Sequence, residues 1–356
     1  MNARALLGVL FHADKALDLV STARELGVLG RLDAGPVTLR ELAAAIGARP
    51  LRMYKFLDGL ESLGLVRRDQ PSDDLLDARY VSREPLAAAA DAVLDEHSIE
   101  RDRNRYPWRE LHGRLGDVLT GELDARFAWP PETAADVRGF EHSMAAGTPP
   151  IVEALYAARR PIFGELAGGQ NGVGGAGSAG GARRWLDVGG GDGTVASELI
   201  PTLADVAPGL GCDVYNLPAV AHLVHDRAAT SGLGDRLGFV GGDFLVEPLP
   251  RGYDVLSFIR VLHDWPADVA RSLLRKAADA LAPGARIAIC EEFRTPDRLA
   301  VQLFWTYFLI GVDGCVSRLR EVEWYTEALG QLGFAEIQVI PAGEAAAFDV
   351  VVAVRA

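Results

Sequence analysis

Leu186-Asp187-Val188-Gly189-Gly190-Gly191-Asp192-Gly193-Thr194 is the stretch from which the fold of this chain is read. An apolar run ends in three alternating glycines, at 189, 191 and 193, and a helix-like segment follows from Val195 to Ile200. The pattern predicts a strand, a tight turn and a helix start. Glycine permits positive φ and close approach of a ligand to the backbone. A helix N-terminus offers free N–H groups to an anionic part of that ligand. A dinucleotide fingerprint needs G-x-G-x-x-G, with its acid after the next strand. Here the sixth position is Thr194 and an acid, Asp187, precedes the glycines. That spacing fits a nucleoside-plus-amino-acid ligand better than a pyrophosphate, and a plain strand–helix turn remains the alternative.

Downstream, strand-like runs at 184–188, 212–215, 238–240, 255–259 and 286–290 alternate with helix-like runs at 194–204, 218–230 and 266–282. Such alternation implies an α/β domain with a parallel sheet and helices on both faces. Residues 335–339 and 347–353 read as an antiparallel end hairpin. Upstream, 168–182 is a Gly-rich flexible loop that lacks flanking strand and helix patterns. The first ~95 residues read as helices and one hairpin, by apolar spacing. Apolar spacing predicts a helix over 13–26 and another over 49–63. Thr38 and Glu41 form a capping-box pair between them. Gly64–Arg68 and Arg79–Ser82 are the candidate hairpin, which completes a winged-helix pattern. The expected organisation is 1–95, 96–167 (a helical connector), 168–182 and 183–356.

The chain has 356 residues, 49% hydrophobic and 24% charged, enough for two substantial cores. Its net charge of −13 disfavours a polyanionic partner, so nucleic acid is not expected. Cys212, Cys290 and Cys315 lack metal or disulfide spacing, and neither a signal pattern nor a long apolar run is seen. The reading is a cytoplasmic protein with no metal and no membrane partner.

Ligands of such sheets bind at the carboxyl ends of the strands. Those ends carry, in order, the glycine turn, Asn216, Gly242-Asp243-Phe244, Arg260-Val261-Leu262-His263-Asp264-Trp265 and Glu291-Glu292. A histidine and two carboxylates at one sheet edge form a plausible general-base group. Each has a plainer alternative. Asp243 caps a turn, Trp265 fills a core, His263 is a satisfied structural histidine, and Glu291 or Glu292 is a surface carboxylate.

Together these motifs, with Pro283-Gly284-Ala285-Arg286, Gly333-Phe334 and the N-terminal segment ending Leu63-Gly64-Leu65-Val66, resemble one family. It is the class I S-adenosylmethionine-dependent methyltransferases, in the bacterial and plant small-molecule O-methyltransferase family. The resemblance covers essentially the whole chain. It implies a Rossmann-like catalytic domain with a mostly parallel seven-stranded sheet, a winged-helix dimerisation domain, a homodimer, and S-adenosyl-L-methionine as cofactor. It places Asp187, Gly189, Gly191, Gly193, Asn216, Asp243, Phe244, Arg260 and Trp265 around that cofactor. His263 becomes the base, with Glu291 favoured over Glu292 as the acid that orients it. Phe140 and Met144 match a pocket-lining helix. Phe140, Met144, Trp305 and Leu309 together suggest a flat aromatic substrate, or else dimer core.

The implied reaction is methyl transfer to a phenolic hydroxyl in bacterial secondary metabolism, as in the tailoring of antibiotics. The same His263 also serves methylation at the carbon ortho to a phenol, on an aromatic amino acid or related precursor. Relatives without methyl transfer commonly lack the histidine. A winged-helix regulator would need a basic face, and residues 36–70 hold only six Lys/Arg against four Asp/Glu. Two positions depart from the family pattern. Asn216 replaces the usual ribose-facing Asp, and Leu319 replaces the second His-flanking acid, with Arg320 on the family's arginine.

Overall fold

In the computed structural model, residues 2–70, 75–95, 113–123, 147–164, 183–295, 303, 306, 318–341 and 348–356 are described. The chain divides into two units, Met1–Tyr106 and Pro107–Ala356.

The first unit packs helices Ala13–Glu25, Val28–Asp33, Leu39–Ala45, Pro50–Ser62 and Leu86–Leu94 around Leu29, Leu32, Leu42, Leu57, Leu60 and Tyr80. Its sheet has the order β1 (Val37–Thr38), β3 (Arg79–Ser82), β2 (Val66–Gln70), all antiparallel. Thr38 caps the helix from Leu39 in a full capping box with Glu41, satisfying N–H groups that the first turn leaves open. The helix from Ala13 stops one residue short of the expected end, and Gly27 follows at φ 67°. A further helix, Ala3–Phe11, precedes it.

The second unit is built on a seven-stranded sheet of order β6-β5-β4-β7-β8-β10-β9. The strands are β4 (Arg184–Val188), β5 (Gly211–Asn216), β6 (Leu237–Gly241), β7 (Val255–Ile259), β8 (Arg286–Glu291), β9 (Phe334–Ile340) and β10 (Asp349–Arg355). The first five are parallel, and β10 lies antiparallel between β8 and β9. Each parallel strand was anticipated to within a residue or so at either end. The helix expected over 194–204 is a helix only to Leu199 and continues as a 3₁₀ turn, Ile200–Leu203. Pro201 is the reason, because it lacks an N–H and its ring crowds the preceding turn.

Strand alternation sorts the central residues onto two faces. Leu186, Val188, Leu256, Phe258, Ile287 and Ile289 join the cluster containing Leu273, Leu274 and Tyr325. Trp185, Val255, Ile259, Ala288 and Cys290 join the other, with Leu199 and Val224. A chain of buried hydrogen bonds links Trp185, Ser257 and Asp187 within this sheet. Trp185 Nε1 donates to Ser257 Oγ at 2.7 Å, and Ser257 Oγ donates to Asp187 Oδ1 at 2.5 Å. The bonds cross between β4 and β7, where Asp187 and Ser257 are register partners. No helix among the described residues is long and apolar enough to cross a membrane.

Ser257→Ala would leave a buried indole N–H and a buried carboxylate oxygen unpaired. It is expected to lower stability by about 1–3 kcal/mol, read as a fall in the urea midpoint of tryptophan fluorescence.

Candidate active site

The glycine turn closes at the carboxyl end of β4. Gly189, Gly191 and Gly193 have φ of 74°, 57° and 82°, a region that side-chain-bearing residues rarely enter. Gly190 is required for a different reason. A Cβ there would lie 2.4 Å from Asp187 Oδ2. Asp187 is therefore under the turn, with 1% of its surface exposed. Its Oδ2 has no hydrogen-bond partner among the described residues. Burial raises its pKa to about 7, partly offset by the bond from Ser257.

The helix start is less open than the sequence implied. Asp192 Oδ1 accepts from the Thr194 N–H at 2.9 Å and from Thr194 Oγ1, and Arg227 pairs with Oδ2. The turn thus satisfies part of its own N-terminus.

At the end of β5, Asn216 Oδ1 accepts from the Leu217 N–H at 2.8 Å, and the amide NH2 is the remaining polar group of that side chain. After β6, Asp243 Oδ1 caps the Leu245 N–H at 2.8 Å, so the plainer reading of Asp243 describes part of what it does. Phe244 and Trp265 meet edge to face, with centroids 5.8 Å apart. Lys276 holds this turn from the helix Ala267–Ala280. Its Nζ donates to the carbonyls of Phe244 (2.7 Å), Leu245 (3.0 Å) and Glu247 (2.8 Å).

After β7 the chain turns sharply. Arg260 has φ 56°, and its N–H donates to the Cys290 carbonyl at 3.0 Å. A 3₁₀ turn, Leu262–Asp264, then carries His263. His263 is buried, and its Nδ1 meets Glu291 Oε2. Glu291 Oε1 also accepts the Leu262 N–H at 3.0 Å, so one carboxylate holds both the ring and its backbone. Glu291 extends the β8 face of Ile287 and Ile289, towards the turn that bears His263. Glu292, the next residue, is also buried.

A second set of bonds fixes the turn from the 318–320 segment. The Arg318 N–H donates to the His263 carbonyl at 2.9 Å, and Arg320 Nη1 donates to the Leu262 carbonyl at 2.8 Å. Arg320 Nη2 reaches the Trp265 carbonyl, and the guanidinium lies 4.7 Å from the Trp324 ring centre. Asp264 Oδ1 is 3.2 Å from His263 Nε2. Burial by itself would lower the His263 pKa, but Glu291 and Asp264 outweigh it and raise the value to about 10.

The carboxyl edge of the sheet thus brings together Asp187, the three glycines, Asn216, Asp243, Phe244, Arg260, His263, Trp265 and Glu291. Phe140, Met144, Trp305 and Leu309 lie outside the described residues. Sequence reasoning passed over Ser257, Lys276 and Asp264. Lys276 sits in an ordinary amphipathic helix and carries no local signal. Asp264 stood within the quoted motif, beside the histidine.

Residues 179–335 match the O-methyltransferase domain family. The chain is 28% identical to a demethylspheroidene O-methyltransferase of Cereibacter sphaeroides, over 93% of this chain and 82% of that one. It is 29% identical to a mitomycin biosynthesis 6-O-methyltransferase of Streptomyces lavendulae, over 84% and 80%. Among solved structures, the S-adenosylmethionine-dependent methyltransferase SibL superposes with a TM-score of 0.65 at 22% identity, covering 98% of both chains. That structural likeness bears on the fold.

Gly190→Ala would press a Cβ onto Asp187 and is expected to lower stability by about 1–3 kcal/mol in urea unfolding. Gly116→Ala, where a Cβ meets nothing within 4 Å, is the control and is expected to change stability by no more than about 0.5 kcal/mol.

Proposed function

From this chain's membership of the class I S-adenosylmethionine-dependent methyltransferases, in the small-molecule O-methyltransferase family, we propose that it methylates a hydroxyl of a small aromatic metabolite, with His263 as general base. The observation that carries this reading is the buried His263 imidazole at the carboxyl end of β7, braced on Nδ1 by Glu291. Such bracing fixes the ring so that Nε2, beside Asp264, is the nitrogen that would meet an acceptor hydroxyl.

The residues at the sheet edge fit the cofactor. A turn of three positive-φ glycines lets an amino-acid moiety approach the backbone. Asp187 Oδ2 beneath that turn, without a hydrogen-bond partner among the described residues, supplies negative potential towards a cationic ligand in its ionised form. Asn216 takes the ribose through its amide NH2, as a donor where the family usually has an acceptor. Asp243, Phe244 and Trp265 take the adenine, and Lys276 holds their turn in place. When bound, S-adenosylmethionine supplies an electrophilic methyl group on a sulfonium centre.

The protein's own part is position and proton acceptance. A phenol has a pKa of about 10 and an ordinary histidine about 6.5, so full proton transfer would be uphill by about 5 kcal/mol. With its proton affinity raised by Glu291 and Asp264 to about 10, His263 is matched to a phenol. The counterpart of this match is a protonated resting ring at neutral pH. The neutral, base-competent form grows as pH rises towards about 10, so kcat/KM is expected to climb through the alkaline range.

The N-terminal unit is the dimerisation domain under this reading, and the partner is a second copy of the chain. Its helix Ala3–Phe11 leaves Leu7, Val9, Leu10 and Phe11 exposed, Phe11 by 80%. Contiguous apolar exposure of this kind marks an association surface.

Mass spectrometry of a panel of phenols incubated with enzyme and cofactor tests the activity. NMR of the product is expected to find the new methyl group on oxygen, and a methyl on the ortho carbon would favour C-methylation. His263→Ala is expected to retain cofactor affinity by calorimetry and to lose about 10²-fold or more in turnover. Full turnover in that variant would remove His263 as the base. Leu7→Asp combined with Leu10→Asp is expected to give a monomer in sedimentation velocity, and an unchanged dimer would move the interface elsewhere.

A further inference from the structure

Leu319 occupies the position where the family's second His-flanking carboxylate is expected, and it is buried. Yet His263 is met by two carboxylates. Glu291 takes Nδ1, and Asp264, the next residue in the chain, places Oδ1 3.2 Å from Nε2. The two acids differ in access to water. The Glu291 side chain is 1% exposed and that of His263 4%, whereas Asp264 is 38% exposed.

A neutral imidazole cannot satisfy this arrangement. One ring nitrogen donates and the other accepts, and an accepting Nε2 would face a carboxylate oxygen that only accepts. Two flanking carboxylates call for an imidazolium that donates from both nitrogens. An acceptor hydroxyl must reach Nε2, because Nδ1 is held inside the protein. The proton on Nε2 therefore has to leave before the hydroxyl binds, and Asp264 is the more exposed of the two carboxylates at the ring.

Resting on the reading of His263 as base, we infer that Asp264 is the second carboxylate of this site. It passes the Nε2 proton between the imidazole and solvent. The proton count closes. Nε2–H gives its proton to Asp264, which releases it to water and leaves a neutral ring. The acceptor's O–H then donates to Nε2. With S-adenosylmethionine bound, the cofactor would supply the electrophilic methyl group and leave as a neutral thioether, and Nε2 would accept the proton that the hydroxyl oxygen gives up on forming its O–CH3 bond. Asp264 then carries the proton out and resets the ring.

Other charged and titratable groups face the same turn. Arg320 donates to the carbonyls of Leu262 and Trp265, on either side of His263. Tyr325, buried in the helix Val322–Gln331, feels Glu291, Arg320 and Asp264. These stay constant when Asp264 alone is changed. Its substitution therefore isolates one carboxylate at one nitrogen.

The test is Asp264→Asn, followed by NMR titration of isotope-labelled histidine rings, with the His263 signal assigned by its loss in His263→Ala. In the unmodified protein the His263 midpoint is expected well above that of free histidine. Asp264→Asn is expected to lower it by one unit or more, a tenfold change in proton affinity, with the melting temperature and cofactor affinity unchanged. The rising limb of the kcat/KM profile should move to lower pH by the same amount, while the plateau kcat falls. Asp264→Glu should restore part of both. An unchanged ring midpoint in Asp264→Asn overturns the inference. If that variant does not fold, an ordinary histidine midpoint in the unmodified protein overturns it equally. The ring titration needs no turnover, so its outcome is separable from a failure of His263 as the base.

Discussion

A carboxylate buried under a glycine turn is the constraint around which the second unit is arranged. Asp187 cannot be moved upward, because Gly190 already lies against it with no room for a side chain. Nor is it loose below, because Ser257 of β7 donates to it and is itself held by Trp185. The turn that opens the cofactor edge is thus tied to the register of the two central strands. Everything else at that edge takes its position from those strands. β5 and β6 bring Asn216 and Asp243 up on one side, and β7 and β8 bring His263 and Glu291 up on the other.

The two halves of the edge are held by different means. On the Asp243 side, one lysine ammonium gathers three carbonyls and shapes a loop that has no regular structure of its own. On the His263 side, the backbone of a 3₁₀ turn is held by Glu291 from one direction and by Arg318 and Arg320 from the other. Buried polar groups carry a penalty unless they are bonded, and here the bonds that satisfy them also orient the ring. Rigid support of this kind suits a reaction whose outcome depends on placing an oxygen and a methyl group in line.

The electrostatics of His263 follow from the same arrangement. Burial disfavours the imidazolium, and two carboxylates more than reverse that. Under the proposed function this makes a base matched to a phenol, with a resting proton that must be removed.

The sequence alone was enough for the α/β alternation, the strand ends and the class of ligand, because these depend on local patterns. Apolar runs, glycine spacing and residue type at a strand terminus are read within a few positions. The capping box at Thr38 and the glycine turn at 189–193 belong to the same category. Only the tertiary structure decided between Glu291 and Glu292 at the imidazole, because the answer depends on which face of β8 meets the turn after β7. It also decided that Asp264 stands at Nε2, that Lys276 reaches the Phe244 turn from a helix about thirty residues away, and that Asp192 turns back onto its own helix start. The Glu291 and Lys276 contacts are set by the packing of separate elements, and those of Asp192 and Asp264 by the path of a turn, which residue type alone does not fix.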